Sequence, residues 1–306
     1  MTNFYGQYVG FGAGTSGAAA WVVGGSLYGY ASGGHRGGYS NTTDKTSFTS
    51  DGDSTDVSNL TVGRTGASSS PSSTYGHIAG GKTPSHSDVI DRFSFVSEGD
   101  STDWADLSQA RANPAGHTTG THGYSSGGFT GATTEVTGVD KYSFAANDNA
   151  TSVLDLTAAR RPAGRSSSLT HGYCAGGEGS PSTINVIDRF DFASDGDSVD
   201  WGDLAVNWDG GTGNSFTTHG FITSSTGAAN GIERFPFASD SGGADWADLS
   251  SDRNGAGSCN STTHGYTNGG VYTIDIVDKY TFASAANATD VGNLYEGGYS
   301  CQGNDY

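Results

Sequence analysis

The chain has 306 residues, 50 of them glycine, and a net charge of −18 from 32 acidic against 14 basic residues; the acids are spread along it, which excludes nucleic acid as a partner because phosphate binding needs clustered Lys and Arg. No apolar run approaches the roughly 18 residues of a membrane span, and Met1-Thr2-Asn3-Phe4 sets no charged stretch before an apolar one, so a soluble protein without signal peptide or membrane insertion is expected. Three cysteines, Cys174, Cys259 and Cys301, are an odd number and cannot complete a disulfide framework.

Residues 1–18 form a glycine and aromatic extension in which Phe4, Tyr5, Tyr8 and Phe11 suit an adhesive, unpaired strand. From residue 19 to 306 the chain repeats. A Gly-Gly pair recurs at Gly33, Gly80, Gly127, Gly176 and Gly269, with Ser224-Ser225 in the fifth copy, at steps of 47, 47, 49, 48 and 45 residues. In register with it run Asp44-Lys45, Asp91-Arg92, Asp140-Lys141, Asp188-Arg189, Glu233-Arg234 and Asp278-Lys279. Each ends three residues later at Phe48, Phe95, Phe144, Phe192, Phe237 or Phe282. A period near fifty with short, turn-rich segments is that of propeller blades, and a repeat array is one body whatever its length. The expected fold is therefore all-β: a six-bladed β-propeller with antiparallel blades of about 45–49 residues.

The module from Arg160 to Leu204 shows the elements. A small-residue strand (Ala163 to Leu169) leads through Thr170-His171-Gly172-Tyr173 into a second strand that ends at Gly176-Gly177. A third runs from Ile184 to Phe192, and a tight acidic turn then delivers a short fourth, Val199 to Leu204. Period-two alternation in Asp188-Arg189-Phe190-Asp191-Phe192 predicts that Tyr142, Phe190, Phe235 and Tyr280 are buried between blades. Gly29, Gly76, Gly123, Gly172, Gly220 and Gly265, four residues before each pair, predict close blade-to-blade packing near the central channel. Two segments compete to close the ring: Ala19 to Ser26 with Trp21, or the chain after Leu294.

No catalytic, cofactor-binding or metal-binding residue is assigned. The turns Asp51-Gly52-Asp53-Ser54-Thr55-Asp56 and Asp195 to Asp200 gather three carboxylates as Ca²⁺ loops do, yet lack the following glutamate of an EF-hand and read as hairpin turns. His122, His171, His219 and His264 share one repeat position and read as structural donors. The Asp-Lys and Asp-Arg pairs occur in every module, whereas a catalytic site is needed once. The unit that departs most is Trp208-Asp209-Gly210-Gly211, where Trp208 stands in an arginine place and fills the pocket that residue leaves.

The repeat resembles the kelch repeat: Gly127-Gly128, Tyr142 and Arg160 in the third unit, and Gly176-Gly177, Phe190 and Trp201 in the fourth. Trp104, Trp201 and Trp246 hold the tryptophan place and Val57, Val153 and Val291 replace it elsewhere; Arg64, Arg111, Arg160 and Arg253 hold the arginine place, with Trp208 and Gly298 departing from it. More narrowly, Asp140 to Ala145, Ala288 to Leu294 and Thr121 to Tyr124 are similar to glycine-rich repeat proteins of marine tailed bacteriophages. That resemblance implies a virion component on the extracellular face, such as a tail fibre or other appendage subunit, assembled in many copies with other virion subunits and meeting a host surface glycan or protein. A secreted or surface carbohydrate-binding propeller is the alternative; a glycan-active enzyme, which needs two carboxylates converging on one cleft, is the third reading.

Overall fold

The computed structural model describes residues 27–131, 134–179, 182–225, 229–271, 274–298 and 302–305. The extension at 1–18, the competing segment Ala19 to Ser26 with Trp21, and Cys301 lie outside the described residues.

Six antiparallel sheets stand as blades in a ring, five of them four-stranded; the fourth has a fifth strand, Arg160–Arg161, paired with the outer end of His171–Gly179. Their innermost strands, from the second blade to the sixth, are Ser68–Pro71, Ala115–Thr118, Gly164–Ser167, Thr212–Ser215 and Gly257–Asn260. The first blade takes its innermost strand from the other end of the chain: Gln302–Asp305 pairs antiparallel with Tyr28–Ser32, Gly29 opposite Asp305 and Ser32 opposite Gln302. Among the described residues the C-terminal segment closes the ring. The remaining strands of the fourth blade, His171–Gly179, Thr183–Asp191 and Val199–Asp203, match the expected module with one correction. The second strand runs on through the Gly176-Gly177 pair, which forms a bulge in it rather than its end.

Side chains of the inner strands tie each blade to the next around the axis. Ser70 Oγ donates to His117 O (2.8 Å) and Ser166 Oγ to Asn214 O (2.9 Å). His117 Nδ1 meets Ser166 O (3.2 Å), Ser258 Oγ donates to Gly213 O (2.8 Å), and Ser69 Oγ donates to Gly303 O. The strands are rich in Ser and Gly because only small residues let six backbones meet at one axis. Gly116, Gly213 and Gly303 supply that approach, against the backbones of Ser69, Arg165 and Ser258.

Five of the six glycines expected at the channel do something else; at the sixth, Gly29, a Cβ would strike Cys259 of the neighbouring blade, the close blade-to-blade packing that was expected. A Cβ at Gly76, Gly123, Gly172, Gly220 or Gly265 would collide with the ring directly across the same sheet: Phe93, Tyr142, Phe190, Phe235 or Tyr280. The glycine is the floor on which the aromatic of its own blade lies. Tyr142, Phe190, Phe235 and Tyr280 are at most 2 % exposed, each worth about 1.5–3 kcal/mol of burial. One pair of rings, stacked or tilted, then bridges every junction: Tyr30–Phe95, His77–Phe144, Tyr124–Phe192, Tyr173–Phe237, Phe221–Phe282 and Tyr266–Phe48, with centroids 4.5 to 5.0 Å apart. Such pairs add about 0.5–1.5 kcal/mol beyond burial.

The outermost strands are sheet edges, open in principle to pairing with another molecule. They carry exposed Asp56, Asp103, Asp200, Asp245 and Asp290 at one repeated position. Five of the 32 acidic residues thus form a repeated acidic position along these edges.

Candidate functional site: the blade junctions and the central channel

The acid of each Asp-Lys or Asp-Arg pair sits on the third strand and reaches back to the linker leaving the preceding blade. Asp91 accepts from Thr61 N (2.9 Å) and Thr61 Oγ1 (2.7 Å) and pairs with Arg64. Asp140 does the same with Ser108 N and Oγ (both 2.7 Å) and Arg111 (3.2 Å); Asp188 does so with Thr157 (2.9 and 2.6 Å) and Arg160 (3.0 Å). Asp278 accepts from Ser250 N (2.9 Å) and pairs with Arg253. These arginines and carboxylates are buried, and every carboxylate meets several donors, as a buried charge must.

Two junctions lack the arginine, and each replaces it physically. In the fifth blade the acid is longer: Glu233 Oε2 accepts from the indole Nε1 of Trp208 at 2.8 Å, while Oε1 accepts from Ala205 N. Burial raises the Glu233 pKa against those two donors. Where the sixth blade meets the first, Gly298 stands in the arginine place and a Cβ there would strike the Arg36 side chain. Arg36 comes from a loop of the first blade and pairs with Asp44 at 2.9 Å. Burial pushes Asp44 up to about 6, opposed by Arg36 and the Tyr295 backbone.

The basic member of each pair faces outward, and three positions vary together. Lys45, Lys141 and Lys279 share their blades with Val57, Val153 and Val291, and reach the acidic turn of the next blade. Lys45 pairs with Glu98, Lys141 with Asp195 (2.8 Å) and Lys279 with Asp51 (3.0 Å). Those three acids adopt φ of 51°, 48° and 47°, the left-handed region that Asp tolerates better than most residues. Arg92, Arg189 and Arg234 instead lie over Trp104, Trp201 and Trp246 at 3.5, 3.7 and 3.8 Å from the ring centroid. In the blades that follow them the same place is held by Asn147, Asp240 and Ala285, none of which adopts a positive φ.

The acidic turns are engaged in junctions. Asp53 Oδ1 accepts from Asn293 N (3.1 Å) while Asp51 takes Lys279, so the two carboxylates serve different partners. Among the described residues no group of three His, Cys, Asp or Glu is placed to hold a metal ion. His122, His171, His219 and His264 each hold the hydroxyl of the preceding threonine at Nδ1, at 2.8, 2.7, 2.8 and 2.9 Å, one per blade.

A buried pair went unnoticed in the sequence: His117 Nε2 lies 3.2 Å from Cys174 Sγ. Because His117 Nδ1 faces the Ser166 carbonyl, Nδ1 carries the proton and the thiol donates to Nε2. Burial holds His117 down to about 3 and pushes Cys174 up to about 12. The pair is neutral and makes no thiolate nucleophile.

Along the axis, the second residues of the inner strands are Ser69, Gly116, Arg165, Gly213, Ser258 and Gly303. Arg165 is the one long side chain. It crosses the channel, donating from Nη2 to Ser69 Oγ (2.7 Å) and Gly303 O (3.2 Å). Arg165 lines both a cavity of about 100 Å³ on the face of the Gly-Gly turns and one of about 60 Å³ on the face of the Thr-His turns. The channel is thereby divided into two shallow chambers, each large enough for only a few waters. No protein-family model matches this chain, and no curated protein matches it.

Proposed function

We propose that this chain is a non-enzymatic structural subunit of a virion, a tail fibre or other host-facing appendage of a tailed phage, carried in many copies. The observation that carries the reading is where the chemically able side chains have gone. The buried carboxylates, their arginines and Trp208 are spent in fasteners repeated at blade junctions, a distribution that suits a rigid body and gives no reason for a single reactive centre. The resemblance of Asp140 to Ala145, Ala288 to Leu294 and Thr121 to Tyr124 to glycine-rich phage repeat proteins suggests the virion part of the proposal. The acidic position repeated along the outermost strands favours it too, because edge-to-edge association is discouraged. Weak contacts to a host glycan or protein are then made effective by copy number.

Fab fragments raised against the folded propeller test the reading on purified particles of the source phage. Labelling at the tail or fibre, with slowed adsorption to the host, is the expected result. Particles that bind no Fab while the cell lysate does would overturn it.

A further inference from the structure

We propose that Arg165 is a latch that holds the closing strand in place from across the channel. The ring is covalently continuous at five junctions; the sixth depends on Gln302–Asp305 staying paired with Tyr28–Ser32. That strand is four residues long, so pairing along one edge is a weak hold on it. Its other contacts are the inner strands on either side, Gly257–Asn260 and Ser68–Pro71, and the axis.

Three facts converge on Gly303. Its carbonyl accepts from Ser69 Oγ on the neighbouring blade and from Arg165 Nη2 at 3.2 Å. Arg165 belongs to the fourth blade, which in a ring of six stands opposite the first, so the one long side chain on the axis comes from the blade facing the closing strand. The five equivalent residues are glycine or serine, which leaves the width the guanidinium needs. Arg165 Nη2 also donates to Ser69 Oγ at 2.7 Å, so the hydroxyl passes the hold on to the same carbonyl. Hydrogen bonds from a charged donor are about twice as strong as neutral ones. Ring closure is thereby made a local event, separable from the folding of the blades.

Hydrogen exchange read by mass spectrometry on the full chain tests this with three variants. In Arg165→Met, amides of 302–305 are expected to exchange roughly ten- to a hundred-fold faster while the other inner strands stay at the wild-type rate. Ser69→Ala should move the same four residues in the same direction by less. Ser258→Ala removes a hydroxyl of the same kind that bonds Gly213; it should loosen 212–215 and leave 302–305 alone. Unchanged exchange at 302–305 in Arg165→Met overturns the proposal, and so does equal acceleration of all six inner strands, which would make Arg165 a general stabiliser.

Discussion

Trp208 and Glu233 form a hydrogen bond of 2.8 Å between indole Nε1 and carboxylate Oε2 at the one junction where an arginine and an aspartate are both replaced. The longer acid meets a donor that is anchored differently, so the two substitutions compensate. Trp208→Ala should cost about 3–5 kcal/mol as a large buried aromatic, with Glu233 left short of a donor. Trp208→Arg and Glu233→Asp should each destabilise, while the double variant, which restores the pattern of the other blades, recovers much of the loss. A double-mutant cycle in urea should show a coupling of roughly 0.5–3 kcal/mol; additive losses would mean the two positions drifted independently.

The outward pairs should be minor for stability and silent in function. Lys141 and Asp195 are both partly exposed, so Lys141→Ala should cost no more than about 1 kcal/mol, and less at high salt. Arg189→Lys, which gives up a flat guanidinium over Trp201, should cost about 0.5–1 kcal/mol. Thermal unfolding at low and high salt separates the two junction types, because only the lysine type loses its contribution to screening. If Lys141→Ala removed host attachment at an unchanged melting temperature, the pair would not be structural.

Acid should unfold the protein in part through two histidines. Burial holds His77 and His117 down to about 3, below the ordinary 6.5, so both are neutral in the fold. Their contribution is complete above pH 6.5 and is lost as the pH falls from there toward 3. Asp44, raised to about 6, acts in the opposite sense: its contribution is present at low pH and lost as the pH rises through 6. His77 occupies the place held by Tyr124 and Tyr173 in other blades, so His77→Tyr should make the melting temperature less steep between pH 6.5 and 4. An unchanged slope would show that His77 takes no part in the acid response.

Gly172→Ala and Gly196→Ala form a matched pair. A Cβ at Gly172 meets the Phe190 ring, while at Gly196 its nearest neighbour is Ser194 Oγ at 3.6 Å. The first should cost about 1–3 kcal/mol by overpacking, the second no more than about 0.5 kcal/mol either way. Equal effects would mean that the repeated glycine does not serve the ring beneath it.

The architecture was legible because a propeller repeats its contacts, so each blade prints the same residues at the same spacing. Burial of Tyr142 and Phe190 followed from alternation alone. The contacts between blades were harder. Asp140 and Arg111 were both visible as repeat markers, but their partnership spans the boundary between modules, and alignment of modules compares equivalent places without saying which ones touch. The joint variation of Lys45 with Val57 and of Arg92 with Trp104 was present in the six copies and would have shown that pairing. Closure was ambiguous since two segments suited one slot, and the pairing of Gly303 opposite Ala31 decides it for the C-terminal one. Arg165 had no repeat counterpart at all, so its position on the axis became visible only once six strands were arranged around it.

The most direct measurement of the central claim, that this chain is a multi-copy structural part of a virion, is absolute quantification of its peptides by mass spectrometry in density-purified, nuclease-treated particles, against a capsid protein as internal standard. A fixed number of copies per particle, constant across preparations and retained through a second gradient, is the predicted result. Absence from the particles, with the chain abundant in the soluble fraction of the lysate, would contradict it.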